Sequence, residues 1–189
     1  MLFKKIIGQK PVKEKLLNML QDGRVPHALM FTGPEGSGNL AAAFAFVQYL
    51  FCSNKQAHDS CGVCSSCLKV SKLIHPDLHL VFPIPLSKNV RTSNDLLPEF
   101  RETFIETPYL TVHDWFDSLS AENKQPTIPT DEANDILKKL SYTSYEGGYK
   151  IMIIWQPEKM NASSANKLLK ILEEPPGQTL FLLVCNHPD

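Results

Sequence analysis

Apolar residues fall along this chain in two alternating rhythms, short continuous runs and stretches in which they return every three or four positions. His27-Ala28-Leu29-Met30-Phe31-Thr32 is the first run, and it leads straight into the glycine-rich stretch Gly33-Pro34-Glu35-Gly36-Ser37-Gly38. Asp77 to Phe82 is the second. Tyr149 to Trp155 is the third, and its Ile151-Met152-Ile153-Ile154 has the uninterrupted apolar character of a strand covered on both faces. Thr179 to Val184 is the fourth. Helical spacing fills the gaps. Pro11 to Gln21 places Val12, Leu16, Met19 and Leu20 on one face and closes at Gly23. Leu40 to Phe51 is apolar nearly all round, which predicts a buried helix. A further helix is expected from Thr130 as N-cap, with Asp131 and Glu132 at its positive start and Ala133, Ile136, Leu137 and Leu140 inward. Asn161 can cap a last helix burying Ala165, Leu168, Leu169 and Leu172. It must stop by Glu174, because Pro175 disfavours helical geometry in the residue before it. Strands alternating with helices predict an α/β fold, a parallel sheet with helices on both faces.

Residues 84–127 interrupt this alternation. They are rich in Pro, Asn and Ser, yet they carry Phe100, Phe104, Tyr109, Trp115 and Phe116, more aromatic side chains than a disordered stretch holds. Thr111-x-x-Asp114 has the pattern of a short helix start presenting Trp115, Phe116 and Leu119. Packing on its own domain is the expected role, and docking of a partner is the alternative.

Composition narrows the function classes. The charge balance is 19 − 20 = −1, which argues against this chain gripping nucleic acid alone, because that affinity is mostly a Lys/Arg–phosphate term. No apolar run approaches the roughly 20 residues needed to cross a bilayer, and Met1 to Ile7 is too short for a signal-peptide apolar region.

The glycine stretch follows the phosphate-loop pattern G-x-x-x-x-G-K-[ST] at Gly33 and Gly38, with Gly36 and Ser37 between them. Such a loop at a helix start can still offer backbone N–H groups to an anion. Asn39, however, stands where a lysine reaches the phosphates, and Leu40 where a hydroxyl holds Mg²⁺. Losing one ammonium–phosphate contact costs about 1.5–3 kcal/mol, roughly one or two decades in affinity, so binding of ATP or ADP is expected to be weak or absent. The third strand ends in Trp155-Gln156, where an ATPase of this type places a Mg²⁺-binding acid. Without a positioned acid or base, worth about 10²–10⁴ in rate, no catalytic residue is expected. A glycine-rich turn with no nucleotide history is the alternative reading of the loop alone.

Cys52-x8-Cys61-x2-Cys64-x2-Cys67 is the strongest local signal. In a chain without export signals, clustered cysteines favour a metal over disulfides. Four thiolates suit a closed tetrahedral zinc site, structural rather than catalytic. An iron–sulfur cluster and free thiols are the alternatives. The former lacks its usual fourth cysteine followed by proline, Ser71 lying near that place. Cys185 reads as a small core residue, Glu173-Glu174 as a helix end on the surface, and His75-Pro76-Asp77 as a turn into the second strand.

Together these pieces resemble the N-terminal AAA+ domain of bacterial DNA polymerase III clamp-loader subunits. The resemblance is carried by Ile6-Ile7-Gly8-Gln9, by His27 to Pro34, and by the four cysteines. Its most specific part is Ala165-Asn166-Lys167-Leu168-Leu169-Lys170-Ile171-Leu172-Glu173-Glu174-Pro175-Pro176. The resemblance implies a P-loop/AAA+ domain over 1–189, cut in its C-terminal part after the fourth strand. It also implies a zinc module at 52–67 and an insertion at 84–127 foreign to the family core. Asn186 would take a sensor role, and Zn²⁺ would be bound by Cys52, Cys61, Cys64 and Cys67. Losing the loop cation and the strand-end acids together is similar to the stationary, non-hydrolysing member of that assembly. That member lends its motor neighbour an arginine from a Ser-Arg-Cys motif expected beyond Asp189. The implied partners are the motor subunits (gamma/tau), the delta subunit, and the sliding clamp and primed DNA through the assembly, in the cytoplasm. A zinc-containing nucleic-acid-binding module and a weakly active P-loop ATPase are the alternatives.

Overall fold

The structure is a computed structural model, and it describes residues 1–187. In chain order the elements are α1 (Lys10–Gln21), β1 (Ala28–Thr32), α2 (Asn39–Phe51), α3 (Ser65–Ser71), β2 (Leu78–Val81), α4 (Leu97–Glu106), α5 (Val112–Ser118), α6 (Thr130–Ser141), β3 (Lys150–Trp155), α7 (Ala162–Glu173) and β4 (Thr179–Cys185). The strands form one sheet in the order β1-β4-β3-β2, every pair parallel. β4 is last in sequence but lies between β1 and β3. Its register pairs Thr32 with Cys185, so the end of β4 stands beside the start of the glycine loop.

Both faces of the sheet are covered, as the apolar run of β3 requires. Ile151, Ile153 and Trp155 point into a core shared with α1 and α2, while Met152 and Ile154 point into one shared with α6 and α7. Strand geometry turns successive side chains to opposite faces, so a strand between two helical layers must be apolar at every position. α2 buries ten consecutive residues, Leu40 through Tyr49, in agreement with its all-round apolarity.

Three helix faces differ in detail from the periodicity. α1 turns Leu16 and Leu17 inward and leaves Val12 44% exposed on the wall of a cleft. Leu137 and Leu169 lie on the outer edges of α6 and α7, and Leu169 is 54% exposed. Pro129, not Thr130, is the N-cap of α6. The Thr130 hydroxyl instead bonds Asn161 Oδ1 at 3.3 Å, joining the first turns of α6 and α7, while the same oxygen caps α7 by accepting from the Ser164 N–H at 2.8 Å. The Schellman-type end of α1 is as expected, with Gly23 at φ +67° and the Arg24 N–H donating to the Met19 carbonyl at 3.1 Å.

Residues 84–127 pack on their own domain. Ile84 and Thr127 exchange backbone hydrogen bonds at 2.9 and 3.3 Å and pinch the segment at its base. α4 begins after the capping box of Thr92 and Asp95 and sends Phe100 and Phe104 inward. α5 begins at the capping box of Thr111 and Asp114. Phe100 stacks on Phe82 with centroids 4.1 Å apart, and Phe104 meets Phe44 of α2 at 4.4 Å. Trp115 lies edge-on to both Phe82 and Phe100, its Nε1 donating to the Pro83 carbonyl at 2.8 Å.

Candidate functional site

The glycine loop joins β1 to α2 over the ends of the central strands. Gly33 N–H donates to the Cys185 carbonyl at 3.3 Å, Ser37 N–H donates to the Pro34 carbonyl at 3.0 Å, and Gly38, at φ +87°, caps α2. Asn39 turns back on the loop. Its Nδ2 donates to the Cys185 carbonyl at 3.2 Å and to the Gly33 carbonyl at 3.4 Å, while its Oδ1 accepts the Leu40 N–H at 2.9 Å. The Asn39 side chain thus bonds to the sheet, and its own oxygen takes a backbone donor of the helix start. Leu40, in place of the hydroxyl, is a core residue, 2% exposed. Beside the loop lies an apolar-walled cleft of about 540 Å³ lined by Val12, Met19, Leu29, Met30, Gly33 and Asn39 among others.

The strand end is equally unsuited to holding Mg²⁺. Trp155 is buried with its ring 5.8 Å from that of Phe100, and Gln156 is buried in a left-handed conformation with its N–H donating to the Val184 carbonyl at 2.7 Å. Asn186 follows β4 directly, and its N–H donates to Glu158 at 3.1 Å. The loop, Trp155-Gln156 and Asn186 therefore share one edge of the sheet, as the parallel topology dictates.

The second site is the cysteine group. The sulfurs of Cys52, Cys61, Cys64 and Cys67 all lie within 4.8 Å of one another. A tetrahedron of Zn–S bonds about 2.3 Å long places its sulfurs roughly 3.8 Å apart, and Cys61 and Cys67 stand at 3.9 Å. Cys52 caps the end of α2, Cys67 lies within α3, and the loop between them supplies Cys61 and Cys64. Backbone donors already face the sulfurs: Cys61 N–H to Cys52 at 3.3 Å, and Cys64 N–H to Cys61 at 3.3 Å. For Cys64 burial pushes the thiol up, but bonds from Ser53 and Cys67 outweigh it and bring it down to about 5. Backbone bonds from Val63 and Cys64 lower Cys61. Burial raises Cys52 and Cys67, the latter pushed further by the neighbouring thiols. Four sulfurs crowded this closely repel as thiolates, and a divalent cation at their centre removes that repulsion. The donor set fits a closed, four-sulfur metal site.

The knuckle is braced from both sides. Asp59 accepts the N–H groups of Phe3, Lys4 and Ser60, tying the chain start to the cysteine loop. On the far side, Glu146 accepts from Lys69 of α3 at 2.5 Å and faces His75 Nε2 at 3.2 Å, while His75 stacks on Phe51 with centroids 4.0 Å apart. Buried Asp77 accepts the N–H groups of Tyr145 and Glu146 at 2.5 and 2.8 Å. His75 and Asp77 do flank the turn into β2, but they also brace this loop, which the sequence reading missed. The two Glu146 contacts span 71 and 77 residues and leave no local pattern. Two more contacts went unread. The Tyr109 hydroxyl accepts the Ile7 N–H at 2.7 Å, and Glu35 of the glycine loop accepts the Val112 N–H at 2.8 Å.

Comparison with known proteins fixes the lineage of this arrangement. The family model described as DNA polymerase III, delta subunit matches residues 8–189. The chain belongs to this family. It is 28% identical over 180 residues to the DNA polymerase III subunit delta' of Escherichia coli (strain K12), covering 95% of this chain and 42% of that protein. With the subunit delta' of Bacillus subtilis (strain 168) the identity is 29% over 180 residues, with the same coverage of each chain. The DNA polymerase III subunit gamma/tau of Mycobacterium tuberculosis (strain ATCC 25618 / H37Rv) is 25% identical over 187 residues, covering 99% of this chain and 26% of that protein. The chain thus spans less than half the length of these relatives. Among the described residues no helix is long and apolar enough to cross a membrane.

Proposed function

We propose that the protein is a delta'-type, non-hydrolysing subunit of the DNA polymerase III clamp loader, assisting ATP-dependent loading of the sliding clamp onto primed DNA in the cytoplasm. In this reading residues 1–189 belong to an AAA+ domain, with a zinc module at 52–67 and an insertion at 84–127. Gly33, Gly36, Ser37 and Gly38 are the remnant of a phosphate loop that holds nucleotide weakly or not at all, and Asn186 is its sensor-like residue. Cys52, Cys61, Cys64 and Cys67 bind one structural Zn²⁺. No residue of the chain is catalytic.

The observation that carries the reading is the fate of Asn39 and Trp155. Each replaces a residue that an ATPase needs, and each is built into the fold, one bonded to the Cys185 carbonyl and the other packed on Phe100. A site that had merely exchanged one cation or acid for another would keep those positions open to a ligand. Its partners are the gamma/tau motor subunits and the delta subunit, and through the assembly the sliding clamp and primed DNA.

The test is reconstitution of the full-length protein with gamma/tau and delta subunits from the same source. Clamp loading that requires this protein, with no ATP turnover by the protein alone, is the expected result. Mg²⁺-dependent turnover by the isolated protein, abolished by Gly38→Ala, would make it an ATPase instead. Clamp loading at full rate without it would remove the assigned role.

A further inference from the structure

The glycine loop is held by a distant part of the chain, the 84–127 segment. Tyr109 lies between α4 and α5, and its ring rests on Gly38. A Cβ on Gly38 would stand 2.7 Å from Tyr109 Cε1, too close for any side chain, in addition to the strain of φ +87°. The same tyrosine reaches past the loop, its hydroxyl accepting the Ile7 N–H at 2.7 Å. Two residues on, Thr111 Cγ2 lies 4.0 Å from a Cβ position on Gly36. One residue further, Val112 N–H donates to Glu35 at 2.8 Å. Residues 109–112 therefore meet the loop at Glu35 and Gly38, pass close to Gly36, and bond the N-terminal segment at Ile7.

The stretch is stiff enough to hold these contacts. Leu110 is 4% exposed, anchored in the core between the contacts made by Tyr109 and Thr111. The Thr111–Asp114 capping box fixes the turn, with Asp114 N–H donating to Thr111 Oγ1 at 3.0 Å and Thr111 N–H donating to Asp114 at 3.1 Å. Trp115 and Phe116 then lock α5 into the aromatic core.

We propose that residues 109–112 form an intramolecular clasp in which Tyr109 and Glu35 are positioning residues, keeping the phosphate loop and the 6–9 segment in one fixed arrangement without nucleotide. The loop of this chain takes its order from its own 84–127 segment, and ligand binding adds none. The clasp rests only on contacts within the chain. Failure of the clamp-loading assignment leaves it standing, and its failure leaves that assignment standing.

Amide hydrogen exchange on the full-length protein tests it, with and without millimolar ADP and Mg²⁺, for the native chain and for Tyr109→Phe, Tyr109→Ala and Glu35→Ala. In the native protein, peptides covering 6–9 and 33–40 are protected without ADP and unchanged by it. Tyr109→Ala speeds exchange in both peptides roughly five- to tenfold, the equivalent of one hydrogen bond and its packing, while peptides of β3 and β4 stay as they were. Tyr109→Phe keeps the ring on Gly38 and speeds only the 6–9 peptide. Glu35→Ala removes the acceptor of the Val112 N–H and loosens 33–40 and the start of α5 but not 6–9. Unchanged exchange at both peptides in Tyr109→Ala overturns the clasp. So does strong further protection of 33–40 by ADP in the native protein. Should Tyr109→Ala unfold the chain, seen as loss of protection in β3, the Tyr109→Phe pattern decides.

Discussion

The side-chain amide of Asn39 donates to the carbonyl oxygen of Cys185 across 3.2 Å, where β1 and β4 end side by side. A lysine in that position carries three donors and a charge that seek an anion. Asparagine carries two donors and an acceptor, and here they reach the Gly33 and Cys185 carbonyls and the Leu40 N–H. At this position the loop carries no charge.

Restoring the cation separates binding from turnover. Asn39→Lys is expected to raise ADP affinity by about one to two decades, the worth of a single ammonium–phosphate contact. Phosphate release stays at background, because Trp155 and Gln156 supply no metal ligand. Titration with a fluorescent ADP analogue and a phosphate-release assay on the same variant check both halves.

Metal content has a thiol signature. The purified protein is expected to be colourless, with one equivalent of zinc. A strong chelator should release that zinc and make four thiols reactive, while Cys185, 2% exposed and with its thiol raised by burial, stays unreactive until the domain unfolds. Cys64→Ser should lose the zinc and melt α3, read by thiol titration, zinc analysis and circular dichroism. Structural zinc contributes about 10–16 kcal/mol in small zinc-finger peptides, comparable with the whole stability of a domain.

Trp115 anchors the 84–127 segment by both area and hydrogen bond. Trp115→Ala leaves a cavity between Phe82 and Phe100 and strands the Pro83 carbonyl, at an expected loss of about 3–5 kcal/mol. Trp115→Phe fills much of the space and still loses the Nε1 bond. Its loss should be smaller by at least about 1 kcal/mol. Urea unfolding monitored by far-UV circular dichroism distinguishes the two.

Glu132 gives stability a pH dependence of predictable sign. It is fully buried, accepting the Ser93 N–H at 2.6 Å, and its Oε1 has no hydrogen-bond partner among the described residues. Burial raises its pKa above the ordinary 4.5, and the Ser93 bonds offset this only in part. A carboxyl raised on folding stabilises the fold below its unfolded value and loses that contribution as pH rises through the folded one. Glu132→Gln removes the titration. Relative to the native chain it is expected to gain stability between pH 4.5 and neutrality and to gain nothing below, measured by urea unfolding across that range.

Much of the fold could be read from local patterns because those patterns are enforced locally. The four apolar runs became the four strands, and Ile151 to Ile154 foretold a covered sheet, since no other environment accepts apolar side chains on both faces of a strand. The capping residues Asn161 and Thr111 were legible for the same reason: their partners lie three residues away. Helix faces were less so. Val12, Leu137 and Leu169 have the right period, but which edge of a helix meets the sheet depends on where the neighbouring helix stops.

By itself the sequence determined the strand–helix alternation, a glycine loop with neither lysine nor hydroxyl at Asn39 and Leu40, the neutral strand end at Trp155-Gln156 and the four-sulfur set. These are properties of residue type and spacing, and they carried the resemblance that the family match then supported. Tertiary structure alone decided where these side chains went. Asn39 bonds a carbonyl 146 residues away, Tyr109 bonds an N–H 102 residues away, and Glu146 braces the cysteine knuckle from the loop before β3. Contacts at such separations are chosen by the packing of the whole domain, because the entropy of closing those loops is met by burial elsewhere and not by the residues that touch.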